Sequence, residues 1–260
     1  MHSGTQQLFI SDPITPSPQA SMLSEPKHIL IFEQASLEIV PKRLRLHEDC
    51  VRVEKRFGVK PEMQILDANF HSHAMVNLTD REKRGRPDVV HFALLDATST
   101  PLFMHGKLEI VIHTIDGTVI VLKEGTRPPR TLQRFCGVMA KLVSSRLAAE
   151  ERRLFDVPGT KRFEELVSFL HAQRVISFSR QGRLETLSET IANVVGFPKR
   201  TALVVGGFAR GQFAPEVVEN SDDLVAISDQ PLPAHVATAR ICYELERNLL
   251  PTLPRSSSSA

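Results

Sequence analysis

Residues 126–137 read Thr-Arg-Pro-Pro-Arg-Thr-Leu-Gln-Arg-Phe-Cys-Gly, which sets Arg127, Arg130 and Arg134 three and then four positions apart across a proline-stiffened turn. Leu132, Phe135, Met139, Leu142, Val143 and Leu147 recur at helical spacing, so a helix over 131–149 is expected. Arg134, Lys141 and Ser145 take its other face, and Thr131 is its candidate cap. The first turn of a helix exposes unpaired N–H groups and a partial positive charge. Arginines there repel that end unless an anion joins them, and a phosphate satisfies both. Carboxylates do not supply the balance: between Lys123 and Arg153 eight Lys or Arg face three Glu, a local charge of +5. Guanidinium groups bind phosphate through paired hydrogen bonds and stack on bases. The segment therefore points to a nucleic-acid or phosphate site, with a solvated charged face as the plainer alternative.

A second candidate lies further on, where Ala202-Leu203-Val204-Val205 runs into Gly206-Gly207-Phe208-Ala209-Arg210-Gly211. A buried strand ending in paired glycines brings bare backbone to the carboxyl edge of a sheet, where ligands of open α/β sheets bind. The run is neither GxGxxG nor a Walker A loop, and a tight turn alone would also use such glycines. A strand over 224–228, followed by Asp229-Gln230-Pro231-Leu232, supplies a second irregular strand end to stand beside the first.

The elements that must position these residues follow from periodicity. Ile29 to Phe32 is a short apolar run typical of a buried strand, and a helical pattern from Glu48 to Phe57 stops at Gly58. A mixed-charge loop over 79–88 comes next. Leu108, Ile110 and Ile112 alternate, Asp116-Gly117 marks a turn, and Val119 to Leu122 forms the return strand of a hairpin. The second half alternates helix 162–172, strand 174–178, helix 184–195, strand 202–205, strand 224–228 and helix 234–250. Such alternation implies an α/β fold, a mostly parallel sheet flanked by helices, with the β-hairpin region inserted before it.

Composition bounds the rest. With 260 residues, 42% of them hydrophobic, the chain can bury a full core. A net charge of +2 means that affinity for RNA must come from local clustering, and the clustering is marked: residues 212–230 hold five acids and no Lys or Arg. Cys50, Cys136 and Cys242 are few, odd in number and far apart, so we expect reduced thiols, and His71 and His73 lack neighbouring ligands for a metal. The first 26 residues carry no Lys or Arg and are rich in Ser and Pro, which argues against a signal or transit peptide and for a flexible tail. A second, Ser-rich tail is expected at 253–260. No run has the length of a membrane span.

Six collinear segments together resemble one family. They are Ile31-Phe32-Glu33-Gln34-Ala35-Ser36-Leu37-Glu38, then Arg84-Gly85-Arg86-Pro87-Asp88-Val89-Val90-His91, then Ile112-His113-Thr114, then 126–137, 205–211 and 227–232. Over roughly 28–250 the chain resembles the small-subunit rRNA pseudouridine N1-methyltransferases of the SPOUT, or α/β-knot, superfamily. That resemblance implies one SPOUT-type knotted domain over 27–252, with RNA-contacting elements mainly within 80–150 and a cofactor-binding part mainly within 174–250. It implies S-adenosyl-L-methionine as cofactor, held by Ile176, Gly206, Gly211, Ile227, Ser228, Asp229, Gln230, Pro231 and Leu232. RNA contacts would fall on Arg86, Arg127, Arg130 and Arg134, with Asp88 holding Arg86. Arg86 and Asp88 are also the candidates for a part in the chemistry, whose general base is unassigned. His91 and His113 are expected to be satisfied, half-buried histidines. The implied partners are a small-subunit rRNA hairpin and a second copy of the chain, with neither metal nor membrane, and the implied location is the cytoplasm, or the nucleolus in a eukaryotic cell. The expected activity is methylation of N1 of a pseudouridine, serving small-subunit biogenesis. The competing expectation is an assembly factor that binds the same hairpin without catalysis.

Overall fold

The structure, a computed structural model, describes residues 28–144 and 151–250. The two expected tails lie outside the described residues, as do Ser145 and Leu147 at the end of the expected 131–149 helix.

The apolar run at Ile29 becomes β1 (His28–Ala35), which is buried on both faces and so takes the middle of the sheet. It pairs in parallel with β2 (Leu108–Thr114) on one side and β6 (Thr201–Gly206) on the other. With β3 (Thr118–Leu122), β4 (Phe155–Thr160), β5 (Arg174–Leu184) and β7 (Asp223–Ala226), the seven strands run in the order β4-β3-β2-β1-β6-β5-β7. The pairings β5–β6 and β5–β7 are parallel, whereas β2–β3 and β3–β4 are antiparallel. The hairpin expected at Asp116-Gly117 is therefore the point where the sheet changes from parallel to antiparallel. Gly117 has φ +82° there, and a Cβ would lie 2.9 Å from the Lys161 carbonyl oxygen, so glycine is required.

Side-chain alternation along the strands builds two cores. Leu30, Phe32, Ile110, Ile112, Leu203 and Val205 face α3 (Pro87–Thr98), α5 (Leu132–Val143), α7 (Leu187–Gly196) and α9 (Ala234–Leu249). Ile29, Ile31, Val111, Ala202 and Val204 face α6 (Phe163–Phe169) and α8 (Pro215–Glu219). A satellite cluster of Val40, Cys50, Leu66, Met75 and Leu78 lies under α1 (Glu48–Phe57) and α2 (Ala68–His71). The remaining helix described is α4 (Pro101–Met104).

Several expectations need correction. Residues 184–186 are not helical: β5 extends to Leu184 and α7 starts at Leu187. Between Phe178 and Arg183 the register against β7 shifts, and the chain rejoins the strand with Arg183 opposite Val225. Gly182 makes the return possible, since a Cβ there would sit 2.4 Å from the Leu224 backbone. Residues 227 and 228 lie beyond β7, and α6 is shorter than the expected 162–172. The periodicity also missed β4, α2, α3, α4 and α8. For α3 the reason is apolar residues outside the buried face: Pro87, Val90, His91, Leu94, Ala97 and Thr98 are buried at helical spacing, but Val89, Phe92 and Leu95 lie off that face and are apolar too, so no polar stripe sets it off.

The apolar face of α9, bearing Ala234, Thr238, Ile241, Cys242, Leu245 and Leu249, is turned inward and is not open to a second copy. Thr238, Ile241, Cys242 and Leu245 are buried, and Ala234 and Leu249 pack against the same core. An amphipathic helix covers its own domain's sheet before it can cover anything else.

Candidate active site and RNA face

The turn before α5 is held by its small and apolar residues, and this sends the arginines outward. Buried Thr126 donates through Oγ1 to the Leu154 carbonyl at 2.7 Å, and Pro128 is buried beside it. On the other side, His91 Nε2 donates to the Pro129 carbonyl at 2.7 Å while its ring stacks on Phe135 at 4.6 Å. Arg127, Arg130 and Arg134 are exposed, and none has an ion pair among the described residues. Thr131 occupies the cap position of α5, but its side chain makes no capping hydrogen bond. The first-turn N–H groups of α5 thus lack a side-chain acceptor where three cations gather.

Arg86 stands at the start of α3, its N–H donating to Ser36 Oγ at 2.7 Å. Its guanidinium grips Asp88 through two bonds, Nε to Oδ1 at 2.8 Å and Nη2 to Oδ2 at 2.7 Å. Partial burial raises the Asp88 pKa, but the bonds and charge of Arg86, with help from the backbone N–H groups, outweigh it and hold the carboxyl below its ordinary value. The preceding loop is fixed by Arg84, which forks onto Glu38 with Nε to Oε1 at 2.7 Å. Lys83 reaches the other way, donating to Gln34 Oε1 at 3.3 Å and lying 5.1 Å from the Phe208 ring centroid. This segment accordingly ties the arginine face to the glycine-rich loop after β6.

That loop crosses the end of β1. Gly207 N–H donates to the Glu33 carbonyl at 2.7 Å and its carbonyl accepts from Ser36 N–H at 2.9 Å, so close that a Cβ would come within 2.6 Å of the Ala35 Cα. Gly211 has φ +108°, a conformation that side chains disfavour, and a Cβ would meet Lys83 Cε at 3.0 Å. Ile227, Ser228, Gln230 and Leu232 border a small cleft of about 70 Å³ together with Phe178 and Arg180. Ser228 and Asp229 open onto a wider hollow beside Arg240. Gly206, Gly211 and Pro231 do not line the cleft, and Ile176 is buried within β5 between Leu203 and Asp223. Among the described residues no backbone-to-backbone hydrogen bond holds 208–212 or 228–232. Gln230 N–H donates to Ser228 Oγ at 3.1 Å, and the other peptide groups of these two loops, at the carboxyl edge of β5, β6 and β7, have no backbone partner among the described residues, which fits a cofactor held mainly through backbone.

His91 and His113, expected to be half-buried and satisfied, are both buried, and His91 Nδ1 has no hydrogen-bond partner among the described residues. His113 donates from Nε2 to the Lys161 carbonyl at 2.9 Å, and its Nδ1 lies 2.7 Å from Glu33 Oε2. Burial raises the Glu33 pKa, and for His113 the bonds to Glu33 and Lys161 outweigh burial and raise it too, so imidazole and carboxyl form a closed, buried pair. His71 is equally engaged, between Gln64 and Asp67.

The sequence reading missed Lys83, Gln34 and Ser36, which join the two halves of the site. The only signal in the chain was the neighbourhood of Ser36 and Lys83 to the motif residues; their contacts span 49 and 50 positions.

A family model described as EMG1/NEP1 methyltransferase matches residues 30–246. The chain is 34% identical over 225 residues to the ribosomal RNA small subunit methyltransferase Nep1 of Staphylothermus marinus, spanning 86% of this chain and 96% of that one. To its namesake in Thermococcus sibiricus it is 32% identical over 221 residues, 85% of this chain and 98% of the relative. In three dimensions it resembles the crystal structure of Archaeoglobus fulgidus Nep1 bound to S-adenosylhomocysteine, with a TM-score of 0.73 and 30% identity over 85% of this chain and 97% of that one. The sheet order, the arginine face and these likenesses converge: the chain belongs to the EMG1/NEP1 methyltransferase family, with the SPOUT-type α/β fold expected from its motifs.

Proposed function

We propose that this protein is an S-adenosylmethionine-dependent small-subunit rRNA methyltransferase that acts, as a two-fold dimer, on N1 of a pseudouridine in a hairpin loop. The observation that carries this reading is the join, through Lys83, between the exposed Arg127, Arg130 and Arg134, which have no carboxylate partner among the described residues, and two strand-end loops without backbone-to-backbone bonds. The Nep1 structure of A. fulgidus holds S-adenosylhomocysteine, the product left when the methyl has gone, which supports the choice of cofactor. When bound, the cofactor supplies an electrophilic sulfonium methyl. The chain's own residues do the rest. Arg127, Arg130 and Arg134 bind loop phosphates or stack on splayed bases, and the backbone of 208–212 and 228–232 holds the cofactor.

N1 must pass its proton to solvent water as the new N–C bond forms. Asp88 is a poor acceptor, since both its oxygens are bound to Arg86 and its pKa is lowered. Its role is to aim the guanidinium, whose charge stabilises the uracil ring as the proton leaves. The work belongs where small subunits are assembled, in the cytoplasm or a nucleolus.

The test incubates protein and cofactor with matched hairpins carrying uridine or pseudouridine at the loop position and reads mass. A one-methyl gain confined to the pseudouridine hairpin supports the proposal. Methylation of both hairpins removes the base specificity, and methylation of neither leaves an assembly factor that only binds.

A further inference from the structure

Between α1, α2 and the first turns of α5 lies a cavity of about 330 Å³ that the reaction does not use. Its volume is at the lower end of those that hold a small organic ligand. Phe57, Val59, Phe70, Leu132 and Cys136 make most of the wall. Gln64 and His71 also face it, but their polar atoms are spent. Gln64 Nε2 donates to the carbonyls of Val59 at 2.7 Å and Cys50 at 3.1 Å, and Gln64 Oε1 accepts from His71 Nε2 at 3.0 Å. Burial pushes the Cys136 thiol up to about 12, so that wall stays neutral.

The mouth is aromatic and basic. The rings of Phe57 and Phe70 are 37% and 38% exposed and meet edge to face, centroids 5.5 Å apart. The Arg56 guanidinium lies 4.9 Å from the Phe57 centroid. Lys55 and Lys60 are exposed nearby, and α5 places Arg134 between Gln133 and Cys136 of the wall. Asp67 also lines the cavity and is close enough to Arg86 to act on its charge.

We propose that this cavity takes a second unpaired base of the same RNA, stacked on Phe57 and Phe70 and distinct from the base that is methylated. The inference rests on the RNA reading above. Exposed rings edged by cations are the surface on which single-stranded bases stack while their phosphates are neutralised. With Gln64 and His71 already bonded and the Asp67 carboxyl held by the backbone N–H and side chain of Asn69, the wall offers little hydrogen-bond readout, so the seat holds by stacking and tolerates different bases. An apolar side chain from another protein would use the same rings but would have no need of the cations.

The experiment titrates the full chain with the hairpin it methylates, each unpaired nucleotide in turn made abasic, and follows fluorescence anisotropy. One position other than the methylated one should lose affinity roughly five- to one-hundred-fold when its base is removed, and little when the base is exchanged. Phe57→Ala and Phe70→Ala should lose as much with intact RNA and almost nothing further with that abasic RNA, the mark of a shared contact. The abasic series uses the wild-type chain, so it decides the matter even if a variant fails to fold. If no second position responds, or the Phe variants bind normally while Arg130→Ala binds weakly, the cavity proposal falls and the RNA reading stands. If Arg127→Ala, Arg130→Ala and Arg134→Ala all bind normally as well, the RNA reading falls with it. A Phe57→Ala protein that changes its oligomeric state but keeps the wild-type abasic profile would show a protein seat and overturn the proposal.

Discussion

Arg86 and Asp88 hold each other through two hydrogen bonds of 2.7 and 2.8 Å, so neither is free to be a simple phosphate hook. Removing the carboxylate should leave the attraction for RNA and spoil its aim. Asp88→Ala should lower single-turnover methylation by up to about a hundredfold while RNA affinity changes far less. Equal losses in both would reduce the pair to a binding element. Its ionisation has a separate signature. A carboxyl whose folded pKa lies below its unfolded value of about 3.9 contributes stability that is fully present above that value and is lost as pH falls through the folded one. The difference in urea midpoint between wild type and Asp88→Asn should therefore be steady from pH 7 to pH 5 and shrink below about pH 4. At Gly211, where φ is +108°, a β-branched side chain is strained whatever space surrounds it. Calorimetry should find cofactor binding lost in Gly211→Val with RNA binding kept; unchanged cofactor affinity would place the pocket elsewhere.

At the scale of elements, the turn before α5 acts as a bracket. Thr126, Pro128 and the His91–Pro129 bond face inward, and each inward residue leaves an arginine neighbour pointing to solvent. An arginine that binds phosphate displaces a condensed counterion. Arg127→Ala, Arg130→Ala and Arg134→Ala should each weaken RNA binding and flatten the plot of log affinity against log salt by roughly 0.7 to 0.9. A variant that weakens binding with an unchanged slope would mark its arginine as a base-stacking residue, and one that does neither as a bystander.

For the whole molecule, the dimer needs a surface that the protomer does not already use. The inner face of α9 is taken by the core, which leaves the outer one, where Tyr243 is 61% exposed, next to α3 with Phe92 50% exposed and in edge contact with His235. Apolar rings left in water on adjacent helices are candidates for burial by a symmetric copy. Light scattering at micromolar concentration should report a dimer, and Phe92→Asp with Tyr243→Asp should report a monomer. A wild-type monomer would remove the dimer from the proposed function, and a dimer indifferent to the double change would move its interface to another face.

Local chemistry was written in the chain. α1 has the expected bounds and ends on left-handed Gly58, the Asp116-Gly117 hairpin forms, and the arginines at 127, 130 and 134 stand exposed where a helix begins. Each depends on spacing within a dozen residues, and such spacing survives in one dimension. What the chain could not show is what crosses it. Apolar Val89, Phe92 and Leu95 outside the buried face of α3 blur the stripe that periodicity looks for, and the rejoining of β5 after Phe178 depends on Leu224, 42 positions from Gly182. Whether the apolar face of α9 meets its own sheet or another copy is likewise a matter of which surface arrives, since both partners would ask for the same residues. Ser36 holding Arg86, and Lys83 spanning to Gln34 and Phe208, are ordinary polar residues until folding brings them together. Sequence determined which candidate groups the chain offers; the tertiary structure alone decided which of them are neighbours, because contact between distant positions is set by the packing of the sheet and not by any residue's own propensity.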